Sequence, residues 1–268
     1  MHPIERLRYV ARSSGYDDRS MVAETAGALR GLGLDAAGMV GACRRIIERH
    51  PTSGPLWWLC ARVLTAPDAY GAARQAVDEM DSDQTAEHLV GLLPADAVVA
   101  VLGWPDIAAD VLIRRGDLSV LAVDSGGRSA GFIRRLERAD VDVEEIAADQ
   151  LGSAVASADL LLVEAAAVGS DSALMPSGHL AAASVGYCAE VPVWAAVGVG
   201  KRLPEPLWTA MLGQLAEAGE PWQLDHEIVP LTLISHLVGP GGLIERPTDF
   251  GPPECPVAYE LMPRRSSR

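Results

Sequence analysis

Six residues between positions 124 and 201 have side chains whose type and position could do chemistry: Asp124, Arg128, Glu164, Asp171, His179 and Lys201. Asp124 and Arg128 flank glycines in the segment Asp124-Ser-Gly-Gly-Arg-Ser-Ala-Gly131. Glycines there let backbone amides approach an anion, and the guanidinium supplies the opposing charge. The plain alternative is a flexible turn with a solvated arginine. Glu164 follows the apolar run Leu160–Val163, and Asp171 sits in the loop beyond it. A carboxylate at a strand end can act as a general base or bind sugar hydroxyls, and it can equally cap a helix or pair with an arginine. His179 opens a helical segment, where it can bind an anion when protonated or simply donate from the surface. Lys201 stands out because every other one of the 22 basic residues is an arginine.

Several familiar chemistries are excluded by spacing. Gly198-Val-Gly-Lys201 is not a phosphate loop, which requires glycine where Ala195 stands and serine or threonine where Arg202 stands. The loop after the first expected strand reads Gly103-Trp-Pro-Asp106, without the glycine pattern of a dinucleotide fold. The four cysteines, Cys43, Cys60, Cys188 and Cys255, form no Cys-x-x-Cys pair and no zinc-type cluster. Reduced, structural thiols are expected, with Cys43, Cys60 and Cys188 in apolar helical contexts. Neither a metal nor a cofactor is implied.

The elements that position these residues follow from periodicity. At 268 residues and 49% hydrophobic content the chain can bury a large core. Residues 1–93 read as a helical N-terminal domain, with stripes Ile4–Ala11, Val22–Leu29, Val40–Ile47 and Leu56–Leu64, and nothing in it suggests catalysis. Residues 94–246 change grammar. The apolar, non-alternating runs Ala97–Leu102, Leu118–Val123, Leu160–Val163 and Val191–Val197 alternate with helix-length segments, as in a parallel sheet covered on both faces. The fold class is α/β, doubly wound and mainly parallel. Ligands in such sheets bind beyond the carboxyl ends of the strands. Ile228–Leu237 is predicted to be strand entering helix, and residues 247–268 to be a proline-rich tail running over the surface or over a partner. A net charge of −14 disfavours direct contact with nucleic acid or an anionic membrane. With no secretory h-region and no apolar run near 18 residues, a cytoplasmic location is expected.

Several stretches together resemble one family: the α, β and δ regulatory subunits of translation initiation factor 2B, with the related methylthioribose-1-phosphate and ribose-1,5-bisphosphate isomerases. In order they are Arg49-His-Pro-Thr-Ser-Gly-Pro-Leu-Trp57, Asp124–Gly131, Ala158-Asp-Leu-Leu-Leu-Val-Glu-Ala-Ala-Ala-Val168, Ser177-Gly-His-Leu180, Val191-Pro-Val-Trp194 with Lys201, and Val229-Pro-Leu-Thr-Leu-Ile-Ser235. They span roughly residues 45–245. The resemblance implies helices followed by a Rossmann-like domain, and self-association through that domain as a homo-oligomer, in the first instance a dimer.

It also locates what this chain lacks. The isomerases carry proton transfer on a Cys in the loop after the first strand and an Asp in a Gly-Ala-Asp triplet. Here Pro105 stands near the first position and Ala166 at the second. Met175-Pro176 replaces a typical Asn-Lys pair, and Asp124-Ser-Gly126-Gly127 a Glu-x-Arg-Pro phosphate contact. Lys201 matches a lysine of the translation-factor branch. The expectation is a non-catalytic pseudoenzyme that senses a small phosphorylated metabolite through Arg128, Lys201 and His179, with Asp124, Glu164 and Asp171 as further ligand contacts. Two alternatives remain open. One is a sugar-phosphate isomerase with a rebuilt site using Asp106, Asp124 or Glu164, which would need a carboxylate of raised pKa facing the pocket. The other is a ligand-free scaffold whose pocket is plugged by Trp104.

Overall fold

A computed structural model describes residues 17–31, 33, 35–125, 127, 129–244 and 252–263. The expected stripe Ile4–Ala11, Arg128 and the basic end of the tail lie outside the described residues.

The first four described helices are α1 (Asp18–Gly31), α2 (Ala36–Arg49), α3 (Gly54–Thr65) and α4 (Ala69–Asp81). Their starts follow from sequence. Asp17 accepts the Ser20 amide at 2.7 Å, Asp35 caps α2 through Gly38, and Asp68 caps α4 through Gly71. Helix α3 is apolar all round (Leu56, Trp57, Trp58, Leu59 and Cys60 are all buried) and forms the centre of this region's core. Helix α5 (Thr85–Leu92) instead packs on the sheet beside its own side of the core.

The sheet contains β1 (Val98–Leu102), β2 (Ser119–Val123), β3 (Asp142–Ile146), β4 (Leu160–Glu164), β7 (Val193–Ala196), β9 (His236–Gly239) and β10 (Gly242–Ile244). Their order is β10-β9-β7-β4-β1-β2-β3. All neighbours are parallel except β10, which pairs antiparallel with β9. Helix α6 (Asp106–Arg115) and α7 (Ser129–Glu137) join α5 on one face. Helix α8 (Leu151–Ser157) and α9 (His179–Cys188) cover the other. Strand order reverses between β1 and β4, so the crevice between their carboxyl ends is the switch point where an open α/β sheet holds ligands.

Three elements depart from the sequence expectation. After β4 the chain makes β5 (Ala167–Val168) and β6 (Ser172–Pro176), which with β8 (His226–Pro230) form a separate antiparallel sheet in the order β5-β6-β8. These strands are short, and two of them end in a proline, so no long apolar run announces them. Residues 231–239 do not enter a helix: a short 3₁₀ turn at Leu231–Leu233 leads into β9. The described tail does not merely skirt the surface. Cys255, Ala258 and Leu261 are buried against the helical region, and Arg44 donates to the Glu260 carbonyl at 2.6 Å. Helix α10 (Glu205–Ala218) completes this layer. Cys188 also departs from expectation, being exposed at the end of α9, whereas Cys43, Cys60 and Cys255 are buried.

Candidate functional site

Close backbone approaches bring the helical region to the carboxyl edge of the sheet. A Cβ on Gly54 would sit 2.7 Å from the Ala166 carbonyl and 3.2 Å from the Lys201 Cα, so only glycine lets the start of α3 lie against both. The Gly54 amide donates to that same carbonyl at 3.1 Å. Gly200, at φ 78°, turns the 198–201 loop against Pro55 and Trp58. The amides of this loop are not free for phosphate: Val199 N donates to Asp83 Oδ2 at 2.8 Å, and Lys201 N to the Gly198 carbonyl. Asp83 also takes the Thr85 amide at the start of α5.

Lys201 is thereby carried into the switch point with its side chain only 4% exposed. Its Nζ donates to Glu164 Oε1 at 2.7 Å and lies 3.1 Å from Asp18 Oδ2 at the head of α1. Burial alone would lower the lysine's pKa, but Glu164 and Asp18 more than reverse this and hold the ammonium charged well above its ordinary range. The other oxygen of Glu164 accepts the Ile107 amide at 2.8 Å. This carboxylate therefore ends β4, caps α6 and neutralises Lys201 at once, combining the capping and pairing roles open to it from sequence.

Around this cluster lies a cavity of about 180 Å³ lined by residues that include Asp18, Trp104, Pro105, Asp106, Ser125, Glu164, Ala166, His179 and Lys201. Trp104 does not plug it. The indole is 47% exposed, donates from Nε1 to Asp106 Oδ1 at 3.1 Å, and packs on Gly131, where a Cβ would meet it at 2.0 Å. The Asp106 carboxyl is pushed up to about 6, first by burial and then by the negative charges of Glu164, Asp17 and Asp18, with the Trp104 bond pulling it down. Its side chain is nevertheless 40% exposed, and Arg135, which is bonded to Asp110, stands 3.8 Å away. His179 is 2% exposed and burial holds its pKa down near 4, so it is neutral at neutral pH. Its Nδ1 lies 2.8 Å from the Pro176 carbonyl, which can only accept, so Nδ1 carries the proton and Nε2 is an acceptor.

The remaining sequence candidates divide. Asp124 follows β2 but turns inward on its own loop, accepting the amides of Gly127 at 3.1 Å and Ser129 at 3.3 Å. Asp171 is exposed beyond β5, bonded to the Ser172 hydroxyl, and is not among the cavity's lining. Glu164, His179 and Lys201 are brought together. Sequence reasoning missed Asp18, which no motif or spacing ties to Lys201. It also missed Glu227, whose Oε1 takes the Leu180 amide at the start of α9 at 2.6 Å. The helices α6, α7 and α9 therefore each have an N-terminal amide bonded to one of the protein's own carboxylates, Glu164, Asp124 and Glu227.

Among the described residues no helix is long and apolar enough to cross a membrane, and no group of three or more His, Cys, Asp or Glu is placed to hold a metal ion. No protein-family model matches the sequence, and no curated protein matches it. Solved structures do. Translation initiation factor eIF-2B from Pyrococcus horikoshii OT3 superposes with a TM-score of 0.78 at 13% identity, covering 93% of this chain and 98% of its own. A chain of the tetrameric eIF2B-beta2-delta2 complex from Chaetomium thermophilum gives 0.73 at 17% identity, covering 91% and 90%. The eIF2B beta structure from the same organism gives 0.67 at 17%, covering 91% and 86%. The chain has the fold of these initiation-factor-2B structures, helices followed by a mainly parallel α/β sheet, with little sequence in common.

Proposed function

We propose that this chain is an initiation-factor-2B-like regulatory protein that binds a small polar metabolite in the switch-point cavity without turning it over. The observation that carries this is the chemistry of two wall positions. Pro105, near the place where the resemblance puts the isomerases' Cys, and Ala166, at the place of their Asp, both line the cavity, and neither can move a proton. The phosphate expectation has less support. Lys201 is already bonded to carboxylates, His179 is neutral, and Arg128 lies outside the described residues.

Self-association is part of the proposal. Leu180 and Tyr187 on α9, Trp222 just before β8 and Ile228 on β8 are exposed apolar side chains on the α/β part, and β8 is an edge strand of its small sheet. The similar Chaetomium structure is a tetrameric complex. Light scattering on the purified chain is expected to give the mass of a dimer or larger.

One observation favours a second reading, an isomerase with a rebuilt site: Asp106, held near 6 at the cavity wall, is a carboxyl of the kind acid/base catalysis uses. A thermal-shift screen against free sugars, amines, sugar phosphates and nucleoside monophosphates, followed by NMR of any hit over time, separates the two. A concentration-dependent rise in Tm with an unchanged ligand spectrum is expected. Conversion of the ligand establishes the enzyme, and no shift with any compound removes both.

A further inference from the structure

Among the described lining residues, the cavity's side-chain donors are almost all bonded within the protein. Trp104 Nε1 donates to Asp106, Ser125 Oγ to the Ser177 carbonyl at 2.9 Å, His179 Nδ1 to Pro176, and Lys201 to Glu164 and Asp18, which leaves a single ammonium N–H. What remains is mostly acceptors. His179, 2% exposed, retains Nε2 with no partner among the described residues. Asp106 retains its second carboxylate oxygen, and Ser125 its lone pairs.

Charge points the same way. Three carboxylates of the described lining, Asp18, Asp106 and Glu164, face one ammonium. The α6 N-terminus, the natural seat for a phosphate, already holds Glu164. The raised pKa of Asp106 comes first from burial and then from the negative charges of Glu164, Asp17 and Asp18, and a bound cation would offset the second part. Beside these acceptors stands the half-exposed indole of Trp104, an aromatic face suited to a cation. A dianionic phosphate brings only acceptors and negative charge to such a wall, whereas an ammonium or guanidinium brings only donors and positive charge.

We propose that the cavity recognises a small organic cation, an amine- or guanidine-bearing metabolite whose N–H groups bond Asp106, His179 Nε2 and Ser125 beside the Trp104 indole. This rests on the small-metabolite reading of the same site. The volume of about 180 Å³ sets the size, equivalent to about six waters of liquid.

The test is calorimetric titration of the full chain with agmatine, putrescine and ribose 5-phosphate. At least one of the two cations is expected to bind, and ribose 5-phosphate is expected to give no heat beyond dilution. Asp106→Asn is expected to weaken cation binding by about tenfold or more, and Trp104→Leu by several-fold. Both substitutions are on partly exposed side chains, so the fold is retained and circular dichroism verifies it. Cation binding that survives both substitutions belongs to the acidic surface and overturns the proposal. Ribose 5-phosphate binding with both cations silent also overturns it, yet leaves the small-metabolite reading standing. Silence from all three probes removes both.

Discussion

The turn after β2 and the crevice between β1 and β4 are made of the same parts, a carboxylate at or just past a strand's end beside the first amides of a helix. Their difference lies in reach. Asp124 takes amides three and five residues ahead of itself, closing a local turn. Glu164 takes an amide 57 residues away on a neighbouring strand's helix, and its other oxygen takes a lysine from a third loop. A local cap can be lost with the turn adjusting around it. A non-local one holds β4, α6 and the 198–201 loop in register, and Asp18 extends the cluster to α1. The wall of the cavity exists because the second arrangement draws several elements to one point.

The sharpest way to break the comparison is to remove each acid. Glu164→Ala leaves a 4%-exposed lysine with one carboxylate and an orphaned helix amide, and is expected to cost about 3–5 kcal/mol in urea denaturation. Asp124→Ala removes a local cap and is expected to cost about 1 kcal/mol by the same measurement. Equal losses would show that the two acids are equivalent after all.

The smallest effect concerns Asp106, and it has a sign. Its carboxyl is raised to about 6 in the folded protein from an ordinary value near 3.8. The stability it contributes is therefore fully present below pH 3.8 and lost as pH rises through 6. Asp106→Asn is expected to raise Tm at pH 7 by a small amount, with the two proteins converging below pH 4. A variant that is less stable at pH 7 would show that the ionised carboxylate is already compensated.

The fold was largely legible because β1, β4 and β7 are buried on both faces and read as uninterrupted apolar runs. The β5-β6-β8 sheet was not, because strands of two to five residues, two of them ending in proline at Pro176 and Pro230, carry no such signal. At the site, Glu164, Lys201 and His179 were found from position and rarity. Their roles were not, since a lysine's charge matters only with its partners, and Asp18 lies 183 positions from Lys201 with no spacing to connect them. His179 was expected as a surface donor or anion ligand, and burial made it a neutral acceptor instead. Asp171 looked equivalent to Glu164 in sequence, but the β5–β6 turn carries it out of the cavity wall.

The most direct measurement is a double-mutant cycle on the buried pair, comparing Glu164→Gln, Lys201→Met and the double variant by chemical denaturation. If the pair is the tie that closes the switch point, each single change loses several kcal/mol and the double loses less than their sum, with a coupling of about 2–3 kcal/mol. Losses that add to within about 0.5 kcal/mol would mean that Glu164 and Lys201 act independently, and would contradict this account of the site.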